Sequence, residues 1–256
     1  MKKLIILSMA CLGWTACLKD KTVQYQRVGV SAVPDLTDIH LLQLNARMLL
    51  DLYQMEANPG IEMLFRILPI TDSKLPIPIE YHLANMAVTE RRNKSDNPKN
   101  RSRLIQAFKD SLVYGIDRYH EEYDKYTPLQ RSLCYETIAG EIRYLAKLKY
   151  DKSYLVIYSN LFENSEIFNC YSPGSRAMLK YSPAKVADTF AKACPLPRGI
   201  RGLTVIFVYN THDNDEADLY LAMIEVYKKI LEPKGIQVVQ YTADGPINRA
   251  LYEPQQ

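Results

Sequence analysis

The sequence has 256 residues, of which 47% are hydrophobic and 24% are charged. This composition is typical of globular proteins and excludes disorder over most of the chain. The formal net charge is +3 and includes Lys2 and Lys3, so the remainder of the chain is close to neutral. Since a near-neutral domain lacks the strong positive field that attracts polyanions, we expect no nucleic-acid partner.

The first 17 residues have the order of a secretory signal. Residues 1–3 carry positive charge, residues 4–12 are apolar, and the small residues Thr15 and Ala16 precede Cys17. A helix needs about 20 apolar residues to cross a bilayer, so this shorter stretch is predicted to direct export rather than to form a stable membrane span.

Cys17 directly follows Ala16, which resembles the lipobox of bacterial lipoproteins, although Trp14 stands where the common pattern has leucine. The resemblance implies that Cys17 is lipidated and anchors the chain to a membrane. Cleavage by an ordinary signal peptidase, with release into the periplasm, is the alternative. We therefore predict an exported cell-envelope protein with a signal segment at residues 1–17, a polar tether at 18–26 and one domain at 27–256.

Three further cysteines lie within this predicted domain, namely Cys134, Cys170 and Cys194. Their number is odd and no two of them have CxxC spacing, so neither a disulfide framework nor a zinc knuckle is indicated. We expect buried thiols. A pairing of Cys170 with Cys194 remains open because the compartment outside the inner membrane is oxidising.

In the first part of the domain, apolar spacing and turn residues predict a strand, a helix and a two-stranded hairpin. These elements are assigned to residues 28–33, 39–56, 61–70 and 77–83. Pro76 and Pro78 cannot donate hydrogen bonds to a neighbouring strand, so the second hairpin strand is expected at an edge of the sheet.

The second part alternates buried strands with helices after a basic segment without apolar residues, 90–103, which is predicted to be a loop. Helices are predicted at residues 104–123, 129–149, 183–194 and 216–231, and strands at 154–158, 203–209 and 236–241. A loop is predicted at residues 159–182, between the first of these strands and the third helix. This alternation predicts a three-layer, Rossmann-like α/β fold. Its six-stranded sheet should be mainly parallel, with one antiparallel edge strand and helices on both faces.

Ligands of open parallel sheets bind beyond the carboxyl ends of the strands. Three loops rich in oxygen ligands are expected there, at residues 35–38, 159–165 and 210–215. The order of elements, Asp35-Leu36-Thr37 after the first strand, and YSNLFENS at 158–165 after the fourth resemble divergent bacterial von Willebrand A-type domains over residues 27–241.

That resemblance implies a divalent cation site, usually for magnesium, which prefers hard oxygen ligands. Asp35 matches the first aspartate of the family's Asp-x-Ser-x-Ser loop, and Thr37 matches its first hydroxyl. Ser132 is the match for the threonine of a later loop. Ile39 stands where the second hydroxyl belongs, and Asn160 replaces an aspartate.

These departures predict a degenerate metal site, because one lost charge about 4 Å from a dication forfeits on the order of 8 kcal/mol at an effective dielectric of 20. We therefore expect no cofactor beyond weakly bound magnesium. Glu163 could supply the missing carboxylate if its loop bends inward; alternatively, Asn160 and Glu163 brace that loop. Asp38, Glu163 and Asn164 are the predicted binding residues beside the degenerate site.

No phosphate-binding glycine loop, nucleophile elbow or paired-histidine motif is present in the sequence. The resulting hypothesis is a non-catalytic interaction module that binds another envelope protein through the strand-end loops. The alternative is a metal-assisted hydrolase or phosphate-handling enzyme in the same crevice, with Asp35, Asp38 and Glu163 as acid, base or ligands.

Overall fold

The computed structural model describes residues 26–37, 43–55, 61–72, 77–84, 98–123 and 131–241. Cys17, Asp38 and Ile39 lie outside these residues, as do the predicted signal segment and all but the last residue of the tether. Among the described helices, none combines the length and apolar character that a membrane span requires.

Six strands form the central sheet of the described chain. They are β1 (Arg27–Pro34), β2 (Glu62–Ile67), β3 (Ile79–Leu83), β4 (Lys152–Tyr158), β5 (Leu203–Val208) and β6 (Gln237–Tyr241). Their order across the sheet is β3-β2-β1-β4-β5-β6, and only β3 runs antiparallel to its neighbour. The predicted α/β fold with an antiparallel edge strand is confirmed.

Helices cover both faces of this sheet. They are α1 (Ala46–Asp51), α2 (Pro98–Tyr123), α3 (Cys134–Leu148), α4 (Pro173–Tyr181), α5 (Pro183–Ala193) and α6 (Asn214–Leu231), followed by a short 3-10 helix, Glu232–Lys234. Successive strand residues face opposite sides, so Leu155 and Ile157 pack with α3, α5 and α6. Val156, between them, packs with α1 and α2 on the other face.

The helix predicted at residues 39–56 is much shorter in the structure. Within the described residues it begins at Ala46, because the Asn45 side chain accepts a hydrogen bond from the Met48 backbone amide, 3.0 Å away, as an N-cap. The helix ends at Asp51, and Gln54 follows with a positive φ of 50°. Leu44 and Leu52 are buried although they lie outside the helix, which explains why apolar spacing overestimated its length.

Two segments predicted to be loops contain helix. Helix α2 begins at Pro98, inside the predicted loop at 90–103, since proline is well suited to a first helical turn. Helix α4 lies in the segment predicted as a loop after β4. Its N-cap is Ser172, whose hydroxyl accepts a hydrogen bond from the Ser175 amide, and Leu179 is its single buried residue.

Helix α3 is held to the sheet by a buried polar contact at its centre. Glu141 accepts a hydrogen bond from the Ser31 hydroxyl of β1, 2.9 Å away. It also forms an ion pair with Arg66 of β2, at an N–O distance of 2.9 Å, and the Arg66 guanidinium lies over the Tyr144 ring. This contact sets the position of α3 under β1, and the amino-terminal end of α3 therefore lies at the carboxyl ends of the strands.

Candidate functional site

The turns after β1 and β4 lie side by side because these two strands are parallel neighbours at the centre of the sheet. Pro34 is in register with Tyr158, and the Asp35 amide donates a hydrogen bond to the Tyr158 carbonyl, 2.9 Å away. The chain leaves β1 towards β2 on one side and leaves β4 towards β5 on the other. Open α/β sheets bind ligands at such a switch point.

Asp35 is only 2% exposed, and hydrogen-bond donors of the chain surround its carboxylate. Oδ1 accepts from the Thr37 amide at 2.9 Å and from the Thr37 hydroxyl at 2.6 Å. Oδ2 accepts from the Ser159 hydroxyl at 2.5 Å and from the Cys134 thiol at 3.7 Å. Both carboxylate oxygens are thus stabilised from within the protein.

The beginning of α3 contributes Ser132 and Cys134, which are both buried. The Ser132 hydroxyl lies 2.9 Å from the Cys134 sulfur, and that sulfur lies 3.9 Å from the Ser159 hydroxyl. Burial, together with the charges of Asp35 and Glu163, raises the pKa of the Cys134 thiol well above its ordinary value. Cys134 is therefore a protonated donor, whereas a reactive cysteine needs a stabilised thiolate.

Glu163 is fully buried, with 0% exposure. Its Oε2 accepts a hydrogen bond from the Tyr135 amide, 2.7 Å away, and so caps the first turn of α3 from a distant loop. Among the described residues, Oε1 has no well-directed hydrogen bond. Burial raises the pKa of Glu163 to about 7, and the charge of Asp35 adds to this, whereas the nearby Ser165 hydroxyl and the Tyr135 amide oppose it.

Asn160 and Asn164 serve the backbone of the loop after β4. Asn160 Oδ1 accepts a hydrogen bond from the Phe162 amide at 2.9 Å, an Asx turn. Asn164 and Ser132 exchange two backbone hydrogen bonds, of 3.1 and 3.2 Å, which join this loop to the beginning of α3. The residue that reaches Asp35 is Ser159, which directly follows β4 and lies one position before the predicted Asn160.

We refer to Asp35, Ser132, Cys134, Ser159 and Glu163 as the carboxyl-end cluster. Sequence reasoning identified the two carboxylates and Ser132 but missed Ser159 and Cys134. Ser159 was adjacent to a predicted ligand and could have been found from strand register. Cys134 gave no signal, because only the packing of α3 brings its sulfur to Asp35.

The carboxyl-end cluster does not fit magnesium. All four described contacts of the Asp35 carboxylate are donors, and a soft thiol stands between Asp35 and Ser132, where a hard cation requires oxygen. Moreover, the described residues contain no group of three His, Cys, Asp or Glu side chains with metal-binding geometry.

Exposed apolar side chains lie on and next to α4, close to the same loop. Tyr171 is 54% exposed, Met178 44% and Tyr181 77%, and we refer to these three residues as the α4 surface. The Tyr171 ring contacts Phe162 edge-on, with centroids 6.3 Å apart. The Cys170 amide donates a hydrogen bond to the Glu163 carbonyl, 2.9 Å away, which connects the α4 surface to the carboxyl-end cluster.

Comparisons with known proteins identify no family for this chain. No protein-family model matches the sequence, and no curated protein matches it either. Among solved structures, a variant of the PilB minor pilin from Streptococcus sanguinis is similar, with a TM-score of 0.42 and 9% identity over 84% of this chain. The chain spans 57% of the length of that pilin chain. A similarity at this level carries no functional argument.

Proposed function

We propose that this protein is an exported, lipid-anchored envelope protein that binds another envelope protein through a von Willebrand A-like domain without catalytic activity. The α4 surface is the contact region, and the adjacent carboxyl-end cluster is a degenerate metal site that now has a structural role. The observation that carries this proposal is the exposure of Tyr171, Met178 and Tyr181, since tyrosine and methionine are enriched in protein interfaces.

The burial of the carboxyl-end cluster supports a structural role and gives no support to the hydrolase alternative. Asp35 and Glu163 would have to reach a substrate to act as acid, base or nucleophile, yet both are buried and each is hydrogen-bonded to protein groups. The loop after β4 would also have to open before Glu163 could contact a partner directly. We therefore assign partner contact to the α4 surface.

Export and anchoring rest on the signal pattern of residues 1–17 and on the position of Cys17. The test is mass spectrometry of the mature amino-terminal peptide from bacterial membranes. A diacylglyceryl group on Cys17 is the expected result. A mature chain that begins beyond Cys17, or an unmodified Cys17, would overturn the anchor and leave the binding module to be tested separately.

The contact region is tested by crosslinking in cells that express the full chain, followed by affinity capture. The variant Tyr171→Ser/Tyr181→Ser should lose a partner that the wild-type chain captures. Tyr114→Ser/Leu221→Ser is the matched control, because these residues are exposed apolar side chains on α2 and α6. A partner retained by the α4 variant would contradict the proposed surface.

Titration calorimetry of Mg²⁺ and Mn²⁺ into the purified full chain tests the degenerate site. We expect no binding at micromolar concentration, because the Asp35 oxygens are already occupied by four donors. Micromolar binding that Asp35→Asn abolishes would overturn this part of the proposal.

A further inference from the structure

A second feature lies at the opposite end of the sheet, before the amino-terminal ends of β4 and β5. The last turn of α3, the residues that lead into β4 and the loop at 197–202 enclose a cavity of about 690 Å³. We refer to it as the amino-end cleft. It is far from the carboxyl-end cluster, since β4 separates the two along its whole length.

The rim of the amino-end cleft is strongly basic. Five cationic side chains line it, namely Arg143, Lys147, Lys149, Arg198 and Arg201, and no acidic residue does. No ion pair joins any of these five to an acidic group of the described chain. Such a concentration of like charge repels itself and raises the local concentration of anions.

A structural explanation accounts for only part of this charge. Lys147 lies in the last turn of α3 and Lys149 is its C-cap residue, where cations stabilise the negative end of the helix dipole. Arg198 and Arg201 lie on no helix, so this explanation does not apply to them. Both are exposed and both point to the same cavity.

The loop that carries these two arginines is held in a fixed conformation. Gly202 has a φ of +70°, and a Cβ atom there would lie 2.5 Å from the Asp151 carbonyl oxygen. The Ile200 amide donates to the Lys234 carbonyl at 2.9 Å, and the Gly202 carbonyl accepts from the Ser153 amide at 2.6 Å. A loop bound to its neighbours on both sides presents its charges without further ordering, which favours binding.

Below the charged rim, the cleft is apolar. Leu145, Ile200 and Leu203 line it and are buried, and the Tyr150 ring forms part of its wall. A cationic rim over an apolar floor suits an amphiphile whose anionic group is bound at the rim and whose apolar part enters the cleft. A fully hydrated inorganic anion would leave this floor unused.

The chain enters the described fold beside the same cleft. The Arg27 guanidinium donates a hydrogen bond to the Lys149 carbonyl at 2.7 Å and lies over the Tyr150 ring. Its backbone amide donates to the Asp151 carboxylate at 2.7 Å, and Glu62 accepts a hydrogen bond from the Tyr150 hydroxyl at 3.1 Å, so both of these neighbouring acids already have a partner. If Cys17 is anchored, nine intervening residues reach at most about 30 Å, which would keep this end of the domain within that distance of the membrane.

We propose that the amino-end cleft binds the phosphate headgroup of an anionic phospholipid in the membrane that carries the anchor, with the adjoining glycerol and first acyl carbons over the apolar floor. This inference rests on the proposed lipid anchor for its choice of a membrane phospholipid. Replacing Arg198 and Arg201 with neutral residues should weaken binding to an anionic surface about 25-fold, since each nearby cation contributes about fivefold to the binding constant.

The test is vesicle cosedimentation of the full chain carrying Cys17→Ser, which removes any acyl anchor. Vesicles of phosphatidylcholine alone are compared with vesicles containing phosphatidylglycerol, and the readout is the ratio of the two partition coefficients, because apolar insertion contributes to both. Arg198→Gln/Arg201→Gln should reduce this ratio about 25-fold. Arg198→Lys/Arg201→Lys should retain most of it.

Lys185→Gln/Lys229→Gln is the matched control, since both lysines are exposed and neither lines the cleft. An equal loss in this control, or an unchanged ratio in the arginine variant, would overturn the proposal. Binding of soluble polyphosphate without any preference for anionic vesicles would contradict a phospholipid ligand. It would indicate that the amino-end cleft binds a soluble polyanion. Failure of lipidation at Cys17 by mass spectrometry would refute the anchor alone, because the vesicle assay does not depend on it.

Discussion

The two ends of the central sheet differ in whether their charged side chains are buried with partners or, within the described residues, exposed without ion pairs. At the carboxyl ends of β1 and β4, Asp35 and Glu163 are buried and accept hydrogen bonds from the chain itself. At the amino ends of β4 and β5, cationic side chains surround an open cleft without acidic partners in the described chain. A charge that is satisfied internally contributes to stability, whereas a charge that is left unpaired at the surface is free to bind a ligand.

The largest expected change in stability follows the loss of the Asp35 carboxylate from the carboxyl-end cluster. Asp35→Ala leaves four donors without their acceptor in a buried site, so we expect the free energy of unfolding to fall by about 4 kcal/mol. Urea denaturation measures it. Asp188→Ala, at an exposed position of α5, should change stability by less than about 0.5 kcal/mol, and similar values for the two variants would show that the carboxyl-end cluster is not structural.

The second expectation concerns the pH dependence of stability through Glu163. Its pKa in the folded protein, about 7, lies above its ordinary value of 4.5, so the folded state binds the proton more tightly. This contribution is complete below pH 4.5 and is lost as the pH rises through 7. The wild-type chain should therefore be about 2 kcal/mol more stable at pH 5.5 than at pH 8 relative to Glu163→Gln.

Urea denaturation of wild type and of Glu163→Gln at pH 5.5 and pH 8 measures this difference in the free energy of unfolding. The matched control is Glu166→Gln, because Glu166 is an exposed residue of the same loop and its removal should leave the pH dependence unchanged. If the free energy of unfolding has the same pH dependence in wild type and in Glu163→Gln, Glu163 ionises as it does in water. The carboxyl-end cluster would then be accessible to solvent.

In the amino-end cleft, Gly202 determines the conformation of the loop at 197–202. Gly202→Ala places a Cβ against the Asp151 carbonyl in a left-handed conformation, and we expect a loss of about 1.5 kcal/mol. Gly174→Ala is the control, since nothing lies within 4 Å of a Cβ there, and it should be neutral or slightly stabilising. Thermal melting distinguishes the two, and equal melting temperatures would indicate that the loop is not held rigidly.

The smallest effect should come from charge repulsion within the amino-end cleft. Arg198→Gln/Arg201→Gln removes two unpaired cations and should raise the melting temperature by about 1 °C at low ionic strength. The rise should disappear in 1 M salt, where the screening length is about 3 Å. A lower melting temperature instead would show that these arginines have stabilising partners in the folded chain.

Strands were predicted well because their signal is local. The apolar runs of β4 and β5 could only be buried between helix layers, and Pro76 and Pro78 correctly indicated that β3 lies at an edge. Helix α4 was missed because Pro173 and Gly174 indicated a loop, whereas in the structure Pro173 begins a nine-residue helix that Ser172 caps.

The candidate site was predictable only as far as strand order determines it. Parallel neighbours bring the turns of Asp35 and Ser159 together, and the sequence indicated both turns. Which side chain faces Asp35 depends on the pleat of one strand end, where a shift of one residue exchanges Ser159 and Asn160. Cys134 and the arginines of the cleft could not be predicted, because the positions of α3 and of the loop at 197–202 result from tertiary packing.

The place of β1 in the middle of the sheet has a consequence for the order of folding events. It pairs with β4, and Val28 is in register with Lys152, so the centre of the sheet closes only after more than a hundred further residues are present. Contacts this distant in sequence form slowly. Under the proposed export, in which the amino terminus would cross the membrane first, the core would therefore stay incomplete until β4 has followed.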